Sequence, residues 1–321
     1  MIFALTIIFT AKVNYFMGLL LPIPKGICNE KHNESRSLGI CNVSNYVFSD
    51  ATGIQNINSS CFNASNDING VLPGGIYEPD ACISSQTVAI IVPYRDRPEH
   101  LKIFLKAIHS FLKKQNISYG IYVLELALPT TFNRGLLLNI GYLVAKSEKP
   151  YDCFIFHDVD LIPTNERNMY LCNENALHMS TFNTKFFKNK KNAMPYADYI
   201  GGVLALTDDQ FRKVNGFSNL YFGWGGEDDD MFTRLKINSV VLTHVDPEIG
   251  QYYALPHSKD PGNPINPKRF TLLKKAKQRM AIDGLSAVGN LYTIQKKEYR
   301  LLYTWLNVVC NQTDLIKRYN V

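Results

Sequence analysis

The sequence predicts an α/β fold in which helices flank a mostly parallel central sheet. Two continuous apolar runs, residues 87–92 and 153–156, are rich in β-branched and aromatic residues, as is typical of strands buried on both faces. Segments with helical periodicity separate the candidate strands, and polar residues cluster directly after each strand. This β-α-β-α-β order predicts parallel strands joined by right-handed crossovers.

The first strand covers residues 87–92 and ends at Pro93. Pro98 opens the first helix, where proline is favoured at the N1 position, and apolar residues from Leu101 to Leu112 recur on one helix face. We predict a second strand at 119–126, a second helix at 133–146 and a third strand at 153–156. Ligands of such sheets lie outside the carboxyl ends of the strands.

The second half of the chain continues with a strand at 199–206 that contains a pair of glycines. Thr207 can cap a short helix that ends at Gly216, and a further helix follows residues 223–230. We interpret residues 243–270 as a long functional loop around His257, residues 270–282 as a basic helix, and residues 291–309 as closing strands.

Composition limits the classes of protein that the chain can represent. Its 321 residues are 46% hydrophobic and 19% charged, an ordinary globular composition. The net charge of +6 is too small and too dispersed to indicate a nucleic-acid partner, although it suits an anionic small molecule. No CxxC spacing occurs among the seven cysteines, which argues against a zinc site.

The N-terminal region indicates a luminal or secreted protein. Four N-glycosylation sequons begin at residues 33, 42, 58 and 63, so residues 24–81 are predicted to form a glycosylated stem or lead-in. Residues 1–23 are apolar but interrupted by Lys12 and Asn14, and we interpret them as a signal anchor. A cleaved signal peptide and an unanchored N-terminus remain alternatives. Some cysteines should be paired in such a compartment.

Two carboxylates follow the third strand, at Asp158 and Asp160. The two-residue period of an extended chain puts both on one side, and such oxygen ligands suit Mg²⁺ or Mn²⁺. A strand-end turn is the structural alternative. Arg95 and Arg97 follow the first strand, so their charges are expected near the same site, where they could face a diphosphate. Phe132 could stack on uracil.

The stretch GWGGEDDD at residues 223–230 carries the second acidic cluster. Acidic residues suit the first turn of a helix, which is the structural interpretation of the cluster. The glycines also permit close approach of a ligand, and Trp224 offers an apolar face for a sugar ring. One carboxylate within residues 227–229 could take a proton from an attacking hydroxyl. We infer transfer of a sugar from a nucleotide to an alcohol.

Residues 82–306 resemble the β-1,4-galactosyltransferase family of animals. The ordered motifs that carry this resemblance are PYRDR (93–97), FNR (132–134), DVDLIP (158–163), YIGGV (199–203), GWGGEDDD (223–230), HSK (257–259) and NPKRF (266–270). The resemblance implies a GT-A glycosyltransferase fold for a catalytic domain at 82–321, inversion at the anomeric carbon, and Mn²⁺ as cofactor, with Mg²⁺ as the alternative.

The resemblance also assigns roles to residues. The donor nucleotide would contact Pro93, Tyr94, Arg95, Asp96, Arg97, Phe132, Asn133, Arg134, Asp158, Val159, Trp224, His257, Ser258 and Lys259. Asp160 and His257 would bind the metal, and Asp228, with Glu227, would be catalytic. The acceptor sugar would contact Tyr196, Gly226, Glu227, Asp228, Asp229, Arg269, Phe270 and Leu273.

Further expectations follow from the resemblance. Cys153 pairs with Cys172, and Cys82 pairs with Cys41 or Cys61. The family has a third metal ligand, a methionine, where this chain has Ala254, so weaker dependence on Mn²⁺ is expected. Tyr199, together with Gly202, would determine the donor, because members with tyrosine at that position favour UDP-galactose. A phenol there can occupy the space of an acetamido group.

The expected activity is therefore transfer of galactose from UDP-galactose to the 4-hydroxyl of a terminal GlcNAc or glucose on a glycoprotein or glycolipid. The expected location is the Golgi lumen, as a single-pass type II membrane protein, or outside the cell if the N-terminal segment is cleaved. Alternatives are transfer of N-acetylgalactosamine by the same fold, a non-catalytic carbohydrate-binding protein, and a metal-dependent nucleotidyltransferase. The last does not explain Trp224 or the sequons.

Overall fold

The computed structural model describes residues 68–186, 194–258 and 260–319. Their strands are β1 Thr87–Tyr94, β2 Ser118–Leu126, β3 Cys153–His157, β4 Leu161–Pro163, β5 Ala176–His178, β6 Phe182–Asn183, β7 Val203–Thr207, β8 Leu242–His244, β9 Gln251–Ala254, β10 Tyr292–Arg300 and β11 Tyr303–Cys310. The helices are α1 Pro98–Lys114, α2 Arg134–Glu148, α3 Asp208–Lys213, α4 Glu227–Ile237, α5 Arg269–Lys274, α6 Ala276–Arg279, α7 Leu285–Val288 and α8 Gln312–Arg318.

The predicted α/β fold is confirmed. Eight strands form one sheet in the order β10-β11-β2-β1-β3-β7-β5-β8, and β4, β9 and β6 form a small second sheet. Strands β2, β1 and β3 are parallel to one another, as their apolar runs predict, and β11 is parallel to β2. The flanks are less regular, because β7 runs antiparallel to β3 and β10 runs antiparallel to β11.

Both faces of the central strands are buried, which explains why the runs are continuously apolar. Val88 and Ile90 of β1 pack with α1 on one face, whereas Ala89 and Ile91 pack with α2 on the other. Helix α1 begins at Pro98 as predicted, and α2 begins at Arg134, one residue after its predicted start, because the Asn133 side chain is its N-cap. Complete burial of large aliphatic side chains contributes about 1.5–3 kcal/mol each.

Three predicted elements have different bounds in the structure. The strand expected at 199–206 begins at Val203, because Gly202 has φ +92° and interrupts the extended backbone. The region 243–270, expected to be one long loop, includes the last two residues of β8 and all of β9. Strand β8 forms by pairing with β5, and β9 forms by pairing with β4. The basic helix expected at 270–282 is divided into α5 and α6 at Lys275.

One predicted disulfide is confirmed, and the partner of a second disulfide-bonded cysteine lies outside the described residues. Cys153 and Cys172 form a disulfide with Cα atoms 5.4 Å apart. Cys82 is disulfide-bonded, and the cysteines expected to be its partner, Cys41 and Cys61, lie outside the described residues. Cys310 is buried with a free thiol.

Only the last part of the predicted N-terminal region lies within the described residues. Residues 1–23 and most of the stem at 24–81 lie outside the described residues. The described end of the stem contacts the domain, since Tyr77 pairs with Tyr119 and the Gly74 amide donates to the Arg300 carbonyl at 2.6 Å. None of the helices within 68–319 that the structure describes is long and apolar enough to cross a bilayer.

Candidate active site

A cleft of about 480 Å³ opens at the carboxyl ends of β1, β2 and β3. Because these strands are parallel, the segments that follow them meet at one edge of the sheet. Two other segments arrive by antiparallel pairing. Strand β7 begins at this edge, so residues 199–202 precede it there, and β9 ends beside β4, which brings His257 close to Asp160.

Most of the predicted site residues line this one cleft. They are Pro93, Arg95, Arg97, Phe132, Arg134, Asp158, Val159, Asp160, Tyr196, Tyr199, Trp224, Gly226, Glu227, Asp228, Asp229, His257, Arg269, Phe270 and Leu273.

Six predicted residues, Gly202 among them, do not line the cleft or cannot be placed. Tyr94 points to the opposite side of its strand end, where its hydroxyl accepts from the Arg97 amide at 3.1 Å, and Asp96 is exposed. Asn133 is fully buried as the N-cap of α2. Ser258 is exposed outside the cleft lining, and Lys259 lies outside the described residues.

Gly202 also lies beneath the cleft rather than in its lining. A Cβ atom at this position would come within 2.5 Å of Ser180 Oγ and 2.7 Å of Leu161 Cδ1. Its positive φ and this close packing both require glycine. Glycine at position 202 therefore allows this segment to pack against Ser180 and Leu161.

Arg95 and Phe132 form one end of the cleft. The Arg95 guanidinium lies 5.1 Å from the centroid of the Phe132 ring. It donates to the Thr130 carbonyl at 2.6 Å and to the Gly262 carbonyl, and burial lowers the pKa of Arg95. The Phe132 amide also donates to Gly262 at 3.1 Å, so the loop after β9 closes this end. A planar base could stack here.

The two carboxylates after β3 enter different clusters. Asp158 Oδ1 accepts from Arg134 Nε at 2.7 Å, whereas Asp160 Oδ2 lies 3.1 Å from His257 Nε2 and 3.5 Å from Arg97 Nη1. Burial raises the pKa of Asp158 to about 6 against the opposing charge of Arg134. Burial also acts to raise the pKa of Asp160, but the hydrogen bond with His257 and the charge of Arg97 lower it on balance.

Asp160 and His257 fit a divalent metal. Ligand atoms bound at right angles about 2.1 Å from an ion lie about 3.0 Å apart, close to the separation of these two side chains. His257 Nδ1 lies 2.7 Å from the Ser258 carbonyl oxygen, the second hydrogen bond that metal-binding histidines commonly make. The two side chains therefore suit neighbouring positions on one ion.

The position at which the family resemblance implies a third ligand is Ala254. Ala254, whose side chain cannot bind a metal, pairs with Leu161 directly beside Asp160. Within the described ranges, no group of three or more His, Cys, Asp or Glu side chains could hold an ion. Asp160 and His257 are thus the two side chains here that could bind an ion, and the expected effect of Ala254 on the use of Mn²⁺ stays a prediction.

Arg134 connects the two acidic clusters of the cleft. Its Nε donates to Asp158 and its Nη1 donates to Asp228 Oδ1, each at 2.7 Å, and Glu227 Oε1 is 3.9 Å away. Burial raises the pKa of Asp228, and the charge of Arg134 opposes that shift. Burial and the charge of Asp228 raise the pKa of Glu227 to about 8. Within the described residues, Glu227 Oε2 is buried without a hydrogen-bond partner.

Glycine conformations place this acidic cluster. Gly225 and Gly226 have φ values of +101° and +97°, and Gly226 is the N-cap of α4. The turn directs Glu227, Asp228 and Asp229 into the cleft from the first turn of α4. The acidic helix start and the cleft-facing cluster are therefore the same feature, since one helix end supplies both.

Three aromatic side chains line the cleft together with the acidic cluster, and we call Trp224, Tyr196 and Phe270 the aromatic wall. The Arg269 guanidinium lies 4.4 Å from the Phe270 ring centroid, and Phe270 and Trp224 are 69% and 57% exposed. Tyr196 donates its hydroxyl hydrogen to Asp229 Oδ1 at 2.7 Å, and its ring is 5.5 Å from that of Tyr199. Exposed rings beside carboxylates provide apolar faces and hydrogen-bond acceptors suited to a sugar.

Sequence reasoning missed several residues of the cleft. Lys185 and Phe186 enter from a short 3-10 turn because β6 pairs with β9, and the charge of Lys185 acts on Asp160. Asp260 and Asn263 enter with the loop after β9. No local pattern distinguishes these residues from ordinary loop residues.

Comparison with known proteins gives consistent matches. A profile described as the N-terminal region of glycosyl transferase group 7 matches residues 41–173, and one described as the N-terminal domain of galactosyltransferase matches residues 182–258. Mouse β-1,4-galactosyltransferase 2 is 42% identical over 245 residues, which cover 76% of this chain but only 64% of that protein. Human β-1,4-galactosyltransferase 4 is 37% identical over 95% of this chain and 92% of its own length.

A solved structure matches as well. A variant of Drosophila β-1,4-galactosyltransferase 7, crystallised with manganese, UDP-Gal and xylobiose, superposes with a TM-score of 0.58 at 28% sequence identity. The match covers 70% of this chain and 94% of that one.

Proposed function

This chain belongs to the β-1,4-galactosyltransferase family, and from that membership we propose that it is an inverting, metal-dependent galactosyltransferase. It would move galactose from UDP-galactose to the 4-hydroxyl of a terminal GlcNAc or glucose on a glycoprotein or glycolipid. The observation that carries the proposal is the placement of Arg134, which binds Asp158 on the donor side and Asp228 on the acceptor side.

The donor would lie along the β1, β2 and β3 ends of the cleft. Uracil stacks on Phe132 beside Arg95, and Arg97 and Lys185 face the diphosphate with positive charge. Asp158 accepts hydrogen bonds from the donor while Arg134 holds its orientation. These contacts keep the galactose C1 atom directed toward the acidic cluster.

Asp228 would act as the general base. Its carboxylate takes the proton from the acceptor 4-hydroxyl as that oxygen forms a bond to galactose C1, and the bond from C1 to the diphosphate oxygen breaks. A base with a raised pKa accepts this proton more readily, while Arg134 keeps the carboxylate ionised at neutral pH. Displacement from the face opposite UDP inverts the anomeric carbon.

Asp160 and His257 would hold the metal, Mn²⁺ or Mg²⁺. When bound, the ion supplies positive charge that stabilises the departing diphosphate. Because Ala254 offers no ligand, we propose weaker dependence on Mn²⁺ than in relatives with three protein ligands. Arg97 lies 3.5 Å from Asp160, so it adds fixed positive charge at the same position.

Tyr199 supports galactose as the donor sugar. Its ring is held by three aromatic neighbours, with centroids 5.7 Å from His178, 5.7 Å from Phe186 and 5.5 Å from Tyr196. A ring fixed in this way cannot readily move aside for an acetamido group. Transfer of N-acetylgalactosamine by the same site is the second candidate, which a smaller side chain at 199 would favour.

We also propose that the chain works in the Golgi lumen, anchored by residues 1–23 or secreted after their cleavage. The four N-glycosylation sequons at residues 33, 42, 58 and 63 and the Cys153–Cys172 disulfide support an oxidising compartment. Residues 24–81 would then form a stem that ends at the catalytic domain, residues 82–321.

A donor-by-acceptor panel tests the proposal. UDP-galactose and UDP-N-acetylgalactosamine are each offered with GlcNAc or glucose acceptors, with and without Mn²⁺, and released UDP is measured. We expect galactose transfer that needs both Asp228 and an added metal. Asp228→Asn should lower kcat by roughly a hundredfold or more, the typical contribution of a general base. UDP release from no donor–acceptor pair would favour a non-catalytic sugar-binding protein.

A further inference from the structure

The last carboxylate of the acidic stretch, Asp230, does not face the cleft. It is fully buried and accepts hydrogen bonds from Arg234 Nε at 2.6 Å, Arg279 Nη2 at 3.0 Å and the Tyr221 hydroxyl at 2.9 Å. Asp283 is also fully buried; Arg279 Nη1 donates to it, and Arg234 Nη2 is 3.5 Å from it. We call Asp230, Arg234, Arg279 and Asp283 the buried ionic quartet.

The quartet joins the helices that form the two sides of the acceptor site. Asp230 and Arg234 belong to α4, whose first turn carries Asp228. Arg279 ends α6, and its Nη2 also donates to the Leu272 carbonyl of α5 at 2.8 Å. Helix α5 carries Phe270 of the aromatic wall, so one guanidinium of Arg279 binds both the helix of the proposed base and the helix of Phe270.

The segment that leads into the glycine turn is fixed to the same group. The Ser218 hydroxyl donates to Asp283 Oδ2 at 2.5 Å, and the Asn219 amide donates to Asp283 Oδ1 at 2.8 Å. A Cβ atom on Gly226 would lie 3.1 Å from Arg269 Cβ, so the turn and the start of α5 are in close contact. Movement of α5 would therefore disturb the turn that orients Asp228.

The charges of the quartet balance, with two guanidiniums and two carboxylates. Removing one member leaves an unpaired buried charge, which is strongly unfavourable, so each member restricts the positions of the others. Asp230 and Arg279 are 49 residues apart in sequence. Their pairing is a tertiary constraint on two separate helices rather than a local helix contact.

We propose that Asp230 and Arg279 are positioning residues that set the distance between Asp228 on α4 and Phe270 on α5, at the two sides of the acceptor site. This inference rests on the proposed galactosyltransferase function. The donor-side groups, such as Arg95 and Asp160, belong to loops outside the quartet. Loosening the quartet should therefore weaken use of the acceptor and leave binding of UDP unchanged.

The test uses the full chain with two variants. Asp230→Asn keeps the shape of the side chain but removes its charge. Arg279→Lys keeps the charge but replaces the planar guanidinium, with its several donor nitrogens, by a single ammonium group. Asp209→Asn is the matched control, because Asp209 is a 90% exposed carboxylate that pairs with Arg212 at the surface. For each variant we measure kcat and the acceptor KM, the Kd for UDP with Mn²⁺, hydrolysis of UDP-galactose by water, and thermal unfolding.

Small displacements at reacting groups can cost up to about a hundredfold in rate. We expect both quartet variants to lose roughly 10- to 100-fold in kcat/KM for the acceptor, with UDP affinity and donor hydrolysis within twofold of the wild type. The control should match the wild type in every measurement. An acceptor kcat/KM within twofold of the wild type in a folded quartet variant would overturn the inference.

Two other results also decide the question. Equal losses in UDP affinity, donor hydrolysis and acceptor use would show that the quartet supports the whole domain, and so would loss of cooperative unfolding in both variants. Either outcome overturns a positioning role. If the wild-type chain itself transfers no sugar, the proposed function fails, and that failure is seen before any variant is compared.

Discussion

Removing the charge of Arg134 should change the pH at which the enzyme works. Asp158 and Asp228 each accept a 2.7 Å hydrogen bond from this guanidinium, and Glu227 is 3.9 Å from it. An opposite charge this close lowers the pKa of a carboxylate by about 1–3 units. In Arg134→Gln the three carboxylates face one another without that charge, so the pKa of Asp228 should rise further.

The expected result is a shift of the acid limb of kcat/KM toward higher pH by about 1–3 units, measured with UDP-galactose and GlcNAc between pH 5 and pH 9. Arg134→Lys should shift the limb less, because it keeps the charge although one ammonium nitrogen replaces two donor nitrogens. Arg212→Gln, which removes a surface pair with Asp208, is the control and should leave the profile unchanged.

Stability should respond in the same variant with a defined sign. Carboxylates whose folded pKa lies above the unfolded value stabilise the fold at low pH, and that stability is lost as pH rises through the folded pKa. Arg134→Gln should therefore unfold more easily at pH 8 than at pH 5, relative to the wild type. An acid limb that stays at the wild-type position in Arg134→Gln would refute the electrostatic role assigned to Arg134.

Three further predictions follow from the site and the core. Tyr199→Leu should raise transfer of N-acetylgalactosamine relative to galactose by about 10- to 100-fold in kcat/KM, the range for filling or vacating space in a pocket, and an unchanged donor ratio would contradict the specificity role. Ala254→Met should tighten binding of Mn²⁺, measured by calorimetry as well as by activation, by about 10-fold or more; equal Kd values in the two proteins would show that Ala254 does not limit the site. Burial lowers the pKa of His109 to about 4, so the folded state binds fewer protons than the unfolded state below pH 6.5. His109 alone should therefore cost roughly 3 kcal/mol of stability as pH falls from 6.5 to 4, and the slope of urea-unfolding free energy against pH should be shallower in His109→Gln.

Local sequence patterns predicted the parts of the fold that form through short-range interactions. The apolar runs of β1 and β3 and the helical periodicity of α1 and α2 were sufficient to predict a parallel core. A parallel core places the residues that follow β1 and β3 at one edge of the sheet, so Arg97 and Asp160 were expected to lie close together. The structure confirms this with a 3.5 Å ion pair between them. The pairing of Cys153 with Cys172, taken from the family resemblance, is also present.

Local patterns failed where the direction of a side chain depends on what packs against it. Tyr94 lies within a motif that faces the cleft, yet alternation along the strand end turns its ring to the other side. Asn133 lies beside two cleft residues, but its amide is used to cap α2 and to bind Asn219. Adjacency in sequence therefore does not place neighbouring side chains in the same site.

The amino-acid sequence by itself determined the kind of chemistry this protein can offer: strand-end carboxylates, neighbouring arginines, and an acidic helix start after a glycine turn. These features depend on backbone geometry over a few residues, so they can be recognised without coordinates. Only the tertiary structure decided that Arg134 joins Asp158 to Asp228, that Lys185 enters the cleft, and that Asp230 is buried against Arg279. Those contacts bring together residues far apart in the chain, and their geometry depends on how strands pair and helices pack rather than on any local pattern.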